Sequence, residues 1–326
     1  MTDQPIAKPL LAVEDLRTYF YIGGNRILKA VDGVSFHVDR GRTLGIVGES
    51  GSGKSVTARS ILRVVEQPGR IVGGKIYFDG TDLLKVDDMG PYRGRRISMV
   101  FQDPGTALDP LFTVGDQFLE TITANMKTPK AQARERALDA MKAVGVPDPV
   151  SALDQYPMEF SAGMIQRLMV GLAISSFPDL ILADEPTTTL GVTIQAQILE
   201  TLANIQKQLG MALVLITHDF GVISQMADHI FVMYAGNCME YGKKDDLLKK
   251  PKHPYTVGLI TSVPSIERAT IEKVKAIPGF PPDMLHLPSG CPFAPRCDRA
   301  TKQCVAEKPQ ALELEADHWV SCFHPY

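Results

Sequence analysis

One stretch constrains this chain more than any other: Gly48-Glu49-Ser50-Gly51-Ser52-Gly53-Lys54-Ser55, a G-x-x-x-x-G-K-[ST] pattern. Apolar Leu44-Gly45-Ile46-Val47 precedes it and a helix-compatible run from Val56 to Val65 follows. Strand, loop and helix in that order are the setting such a motif requires. The residue types follow from phosphate chemistry. Glycines let the backbone turn so that successive N–H groups point inward at phosphate oxygens. The helix that begins there adds its positive end. Lys54 supplies a point charge for the β- and γ-phosphates of a nucleotide, and the Ser55 hydroxyl is placed to ligand Mg²⁺. Gly48 to Ser55 is therefore the candidate nucleotide-binding loop. A Gly/Ser-rich turn that matches by accident is the competing reading, and the acidic strand end found downstream weighs against it.

The 326 residues suffice for one large domain or two smaller ones. With 44% apolar and 22% charged residues the composition is that of a soluble globular protein. A net charge of −3 argues against bulk electrostatic binding to nucleic acid, so no nucleic-acid partner is expected. No apolar run approaches the ~18 residues of a membrane span. Met1 to Lys8 is polar and lacks a secretory stretch. The expectation is a cytosolic chain whose membrane role would come through partner chains.

Residues 10–40 alternate apolar and polar around Leu11-Ala12-Val13, Leu16 to Tyr21, Ile27 to Val31 and Val34 to Val38, with turns at Gly23-Gly24-Asn25 and Asp32-Gly33. They read as antiparallel strands. Tyr19, Phe20 and Tyr21 cannot all face a core. Phe20 is the candidate for stacking on a nucleotide base, with edge-strand packing as the alternative. Gly73 to Gly80 reads as a strand and turn, and Arg95 to Phe101 as a strand ending in Gln102-Asp103-Pro104. Gln102 at such an end can reach a metal or water, although a surface Gln is commoner. Between about Leu108 and Ser176 strand signals stop. Val114 to Met126 and Lys130 to Val144 have helical spacing, and Ser161 to Ser176 is a further helix with Ser161 as N-cap. This block is a helical insertion.

Leu180-Ile181-Leu182-Ala183 then runs into Asp184-Glu185-Pro186. A short apolar run ending in two acids fits a buried parallel strand that delivers carboxylates to its C-terminal edge. There Asp184 would hold Mg²⁺ and Glu185 would polarise the attacking water as general base. A helix from Thr193 to Leu209 and a strand from Met211 to Ile216 follow, the latter ending in Thr217-His218-Asp219. His218 at that end is placed to contact a γ-phosphate.

Together these motifs resemble the nucleotide-binding subunit of ATP-binding-cassette transporters. Tyr156 to Arg167, with Ser161-Ala162-Gly163, is similar to the family's signature segment. Gln102 matches the Q-loop, Asp184-Glu185 the Walker B end, Thr189-Leu190-Gly191 the D-loop and His218 the switch histidine. His253-Pro254-Tyr255-Thr256, Ile277-Pro278-Gly279 and Gly290 to Cys297 resemble the tail of oligopeptide/dipeptide-importer ATPases. The resemblance spans about residues 10–326. It implies an α/β P-loop NTPase core with a mostly parallel sheet, an antiparallel β-subdomain, the inserted helical subdomain and a C-terminal extension. The nucleotide-binding domain is expected at 10–250 with the insertion at about 108–176, and the extension at 251–326.

What the family implies is an ATPase at the cytoplasmic face of the membrane, with ATP and Mg²⁺ as cofactors. Its partners would be a second ATP-binding subunit, two transmembrane permease subunits and an extracytoplasmic solute-binding protein. Each ATP would sit between one domain's phosphate loop and the other's signature. The cargo would be di- or oligopeptides; nickel, glutathione or short oligosaccharides use similar subunits. A soluble cassette ATPase acting on DNA or ribosomes fits less well, since one phosphate loop and no sustained heptads are present. A redox sensor built on the cysteine tail would leave the ATP motifs without a role.

Two positions depart from the pattern. Ala162 stands where the second signature glycine is usual, and Gly191 where the D-loop usually has Asp. A Cβ at Ala162 can block close approach or forbid a glycine-only backbone. The expectation is one degenerate site, hence a partner that is a different chain; a tolerated substitution is the alternative. In the tail, Cys291, Cys297, Cys304 and Cys322 are spaced C-x5-C-x6-C-x17-C. Disulfides are not expected in a reducing compartment. Four thiolates suit Zn²⁺ or an iron–sulfur cluster, and a segment with little apolar periodicity would gain from such a staple. Structural zinc usually pairs ligands as C-x2–4-C, so the spacing favours a [4Fe–4S] cluster. The resemblance to importer tails with a bound cluster points the same way.

Overall fold

The computed structural model describes residues 8–24, 26–187, 191–262 and 276–326. The chain opens with β1 (Leu11–Tyr21), β2 (Ile27–Val38), β3 (Thr43–Val47) and helix α1 (Lys54–Ile61), then β4 (Gly69–Phe78), β5 (Thr81–Asp82) and β6 (Ile97–Val100). A helical stretch follows: α2 (Pro104–Ala107), α3 (Val114–Met126), α4 (Lys130–Ala143), α5 (Pro149–Ala152) and α6 (Ala162–Ile174). Next come β7 (Leu180–Asp184), α7 (Val192–Leu209), β8 (Ala212–Thr217), α8 (Phe220–Met226), β9 (His229–Tyr234) and β10 (Asn237–Lys243). The tail carries α9 (Lys244–Lys249), α10 (Pro254–Thr261), α11 (Lys302–Ala306), β11 (Leu312–Glu315) and β12 (His318–Val320). Two compact units result. One is built from described residues up to Asp39, of 43–85 and from 217 onward; the other from 40–42 and 86–216.

In the first unit an antiparallel sheet runs β2-β1-β4-β5. The four short strand segments expected before the phosphate loop are two long strands, paired from Leu11↔Val38 to Tyr21↔Ile27. The pairing shifts between Val13 and Leu16, where Asp15 takes a positive φ and its N–H donates to Ser35 Oγ at 2.9 Å. The bulge changes the phase of the alternation, so that Leu11, Val13, Leu16 and Thr18 are all buried. In the same unit β3 runs parallel to β9, and β10, β12 and β11 continue antiparallel from β9. The weak periodicity of the tail does not announce β11 and β12, which are only four and three residues long. Cross-strand partners hold them: Tyr241↔Trp319 pairs β10 with β12, and buried His318 Nε2 lies 2.7 Å from Glu240 Oε1. The tail therefore buries more than its pattern suggests, including Phe293 and Val320.

In the second unit β6, β7 and β8 are parallel, in register from Ile97↔Leu180 to Asp184↔Ile216. β7 is buried along its whole length, as its unbroken apolar run requires. β6 is shorter than the expected strand from Arg95 to Phe101. The Arg96 carbonyl accepts from both Asp179 and Leu180 N–H groups, and Phe101 is exposed. The helices α3, α4 and α6 start and end within a residue or two of their expected bounds. They bury Phe118, Ile122, Ala137, Met141 and Leu168. No helix among the described residues is long and apolar enough to cross a membrane.

Candidate functional site

The phosphate loop leaves β3 and enters α1. Gly53, the residue before the helix, has φ +104°, and a Cβ there would collide with the Ala30 carbonyl of β2. A Cβ on Gly48 would collide with the Met233 carbonyl at the end of β9. Both positions need glycine for room, and Gly53 also for conformation. The buried Lys54 ammonium donates to the carbonyls of Gly48 (2.8 Å) and Glu49 (3.0 Å). Ser52 N–H closes the turn on the Glu49 carbonyl at 3.2 Å, while the Gly236 N–H donates to the Ser52 carbonyl. Ser50 and Gly51 form the exposed tip, and Ser55 is the second residue of α1. Ser52 Oγ is buried without a hydrogen-bond partner among the described residues. Glu49 is held by the tail: its N–H donates to Tyr255 Oη, and Arg296 grips its carboxylate at 2.6 and 3.0 Å. Sequence reading misses this contact, because nothing local pairs residues 247 positions apart.

Phe20 is half-buried, with its ring lying over Gly69 of β4. Neighbouring Tyr19 donates to Asp32 Oδ1 at 2.6 Å, and burial with that contact pushes its phenol up to about 12. Tyr21 is the most exposed of the three aromatics.

In the second unit β7 delivers Asp184 and Glu185, both buried. Glu185 adopts φ +46°, a left-handed turn for a residue with a Cβ, and its N–H donates to the Ile216 carbonyl of β8 at 2.9 Å. This turn places the Glu185 carboxylate where Gln102 Nε2, just past β6, donates to Oε2 at 3.3 Å. The structure thus brings Gln102 to the candidate general base. His218 follows β8 and is exposed; Asp219 caps α8 beside it by accepting from Gly221 N–H.

Ser161 caps α6 by accepting from Met164 N–H. Ala162, the first residue of that helix, has no positive φ and faces solvent. The backbone is therefore one any residue adopts, which leaves obstruction of a facing ligand as the way its Cβ can matter. A Cβ on Gly163 would lie 3.2 Å from Ile194 Cγ2. Gly191 precedes α7 with ordinary backbone angles (φ −65°, ψ 150°) and, among the described residues, nothing within reach of an added Cβ; it gives the helix no side-chain cap. Thr189 and Leu190 lie outside the described residues.

Cys291, Cys297, Cys304 and Cys322 line one cavity of about 10 Å³, with His253, Phe293 and His324 on its walls. That is about the room of one water centre. Burial pushes the Cys291 thiol up to about 11, and those of Cys297 and Cys322 upward. His253 Nε2, also buried, has no hydrogen-bond partner among the described residues. The donor set is soft. Yet among the described residues no three His, Cys, Asp or Glu side chains are grouped so as to hold a metal ion.

Two family models match the chain: "ABC transporter" over residues 31–188 and "Oligopeptide/dipeptide transporter, C-terminal region" over residues 239–304. The oligopeptide transport ATP-binding protein OppD of Bacillus subtilis (strain 168) is 43% identical over 321 residues, 97% of this chain and 89% of the relative. The dipeptide transport ATP-binding protein DppD of Escherichia coli (strain K12) is 43% identical over 319 residues, 97% of each chain. Among solved structures, the dimer of MJ0796, a bacterial ABC transporter cassette, aligns with a TM-score of 0.65. It covers 72% of this chain and 98% of that one at 24% identity, a likeness in fold.

Proposed function

The chain belongs to the ATP-binding proteins of ABC transporters, in the oligopeptide/dipeptide family, and from that premise we propose that it hydrolyses ATP to power import of di- or oligopeptides. The observation that carries the reading is the pairing, in one chain, of a cassette match with the oligopeptide-type tail match. The chain would act at the cytoplasmic face of the membrane, with two permease subunits and an extracytoplasmic solute-binding protein. The domain division proposed is a cassette at 10–250 and an extension at 251–326.

Gly48 to Ser55 cradles the ATP phosphates in this reading, and Phe20 packs on the base. Ser55, Gln102 and Asp184 hold Mg²⁺, Glu185 activates the water and His218 touches the γ-phosphate. The Gln102–Glu185 hydrogen bond supports the placement of the base. The signature turn Ser161-Ala162-Gly163 completes a site on a second, different ATP-binding subunit, and there Ala162 and Gly191 leave catalysis slow. Support comes from the ordinary backbone at both positions: neither substitution is forced by this chain's own fold. Cys291, Cys297, Cys304 and Cys322 hold a [4Fe–4S] cluster, with Zn²⁺ as the alternative. Support for that is the gathering of all four cysteines around one cavity.

The test is anaerobic purification of the assembled complex. Co-purification with two membrane chains, a second cassette and a binding protein that retains peptides is expected. Broad absorbance near roughly 400 nm would report thiolate-bound iron. A binding protein that retains nickel, glutathione or an oligosaccharide would refute peptide import, and colourless protein with stoichiometric zinc would refute the cluster.

A further inference from the structure

Two landmarks of the tail meet at one residue of the phosphate loop, and a third braces one of them. Arg296, beside Cys297, holds Glu49 with both prongs of its guanidinium, Nη1–Oε2 at 2.6 Å and Nη2–Oε1 at 3.0 Å. Only 6% of the Arg296 side chain is exposed, while Glu49 keeps 25% of its side chain open to water. The contact with Glu49 raises the guanidinium's affinity for its proton further. Arg296 Nε donates to the Pro278 carbonyl at 2.9 Å, within Ile277-Pro278-Gly279. Tyr255, within His253-Pro254-Tyr255, accepts the Glu49 N–H at 2.9 Å. Phe293 stands between them, its ring centroid 5.3 Å from Tyr234 and 5.2 Å from Tyr255. Glu49 is thus clamped at its N–H and at its carboxylate. Its remaining backbone group, the carbonyl, accepts from Lys54 Nζ at 3.0 Å and from Ser52 N–H at 3.2 Å.

We propose that Arg296 and Tyr255 are positioning residues for the phosphate loop: by fixing Glu49 they fix the carbonyl that orients Lys54, so nucleotide affinity depends on the C-terminal tail. The inference deepens the proposed function and rests on its reading that Gly48 to Ser55 binds ATP. The physical reason is preorganisation. A lysine ammonium on a flexible four-carbon stem loses rotamer entropy when it is ordered. A loop that already holds it beside the phosphate position has met that cost before ATP arrives. A planar, two-pronged guanidinium fixes both position and orientation of a carboxylate, which a lysine cannot do. The clamp also shares a frame with the cysteine cavity. Arg296 adjoins Cys297 and Tyr255 adjoins Pro254, and both neighbours line that cavity.

The test is ATP affinity of the purified full chain, with thermal unfolding in the absence of nucleotide recorded for each variant. Arg296→Gln is expected to weaken ATP binding about tenfold, and Arg296→Lys less. Glu49→Gln should match Arg296→Gln, and the double variant should lose no more than either single one, because both break the same contact. Asp317→Asn removes another tail ion pair, with Lys243 of β10 at 3.5 Å, and should stay within twofold of the parent. Unchanged affinity in Arg296→Gln, or losses that multiply in the double variant, would overturn the clamp. If Arg296→Gln fails to fold, Tyr255→Phe decides: it removes only the acceptor of the Glu49 N–H, and parental affinity there would overturn the inference. Lys54→Ala binding ATP as tightly as the parent would instead refute the nucleotide reading on which the clamp rests.

Discussion

The phosphate loop and the signature turn are both short, rich in Gly and Ser, and followed by a helix, yet the fold holds them by opposite means. The loop is walled from within the chain. Gly48 and Gly53 face the carbonyls of Met233 and Ala30, Lys54 is buried on two loop carbonyls, and Glu49 is clamped by Arg296 and Tyr255. The signature turn is open. Ser161 and Ala162 are exposed at the start of an ordinary helix, and Gly191 has no atom of the described residues within reach of a Cβ. Folding therefore dictates the residues of the loop and leaves those of the turn free. We propose that what the turn faces in an assembled transporter sets them instead, which makes Ala162 and Gly191 functional departures and not packing accommodations.

The contrast can be broken at either end. The largest effect is expected from Gly53→Ala. It adds the strain of a positive φ, of order 1–3 kcal/mol, to a collision with the Ala30 carbonyl. ATP binding measured by titration should fall about a hundredfold or the chain should fail to fold; near-parental affinity would mean the loop is not walled. Ala162→Gly should leave folding nearly untouched. In the assembled transporter it should raise turnover at the site that the signature completes about tenfold, since donors aimed at a transferring phosphoryl group are each worth roughly 10²–10³ in rate. No change in single-turnover hydrolysis at that site would remove Ala162 from the account. The smallest effect belongs to Gly191→Asp. An Asp at this N-cap can accept from the first turn of α7, a gain of a few tenths of a kcal/mol over Gly. Chemical denaturation should show that small gain, and a loss above about 1 kcal/mol would mean the position is not open.

How much of this was legible in sequence follows the same division. The loop, Asp184-Glu185 and the helices of the insertion could be placed from sequence because local rules fix them: a motif in its strand–helix setting, an apolar run ending in acids, 3.6-residue spacing. The break in β1 at Asp15 was hidden, since a bulge shifts the phase of an alternation that otherwise looks like two strands. β11 and β12 were hidden because pairing of β12 with β10 and of β11 with β12, not pattern, makes them strands. The Arg296–Glu49 clamp was hidden for the same reason. Its residues stood out in the tail, but only the three-dimensional path of residues 276–326 brings them to the loop.

We propose that this chain pairs a complete phosphate loop with a weakened signature turn. That pairing is tested most directly by two matched variants of the reconstituted transporter, Glu185→Gln here and the corresponding Glu→Gln in the second cassette, with ATP hydrolysis measured in each. Loss of a general base costs about 10²–10⁴ in rate at the site it serves. Glu185→Gln is expected to abolish most of the ATPase activity while ATP binding persists, and the partner's variant to leave much of it. Equal losses from the two variants, or robust hydrolysis by this chain alone as a homodimer, would contradict it.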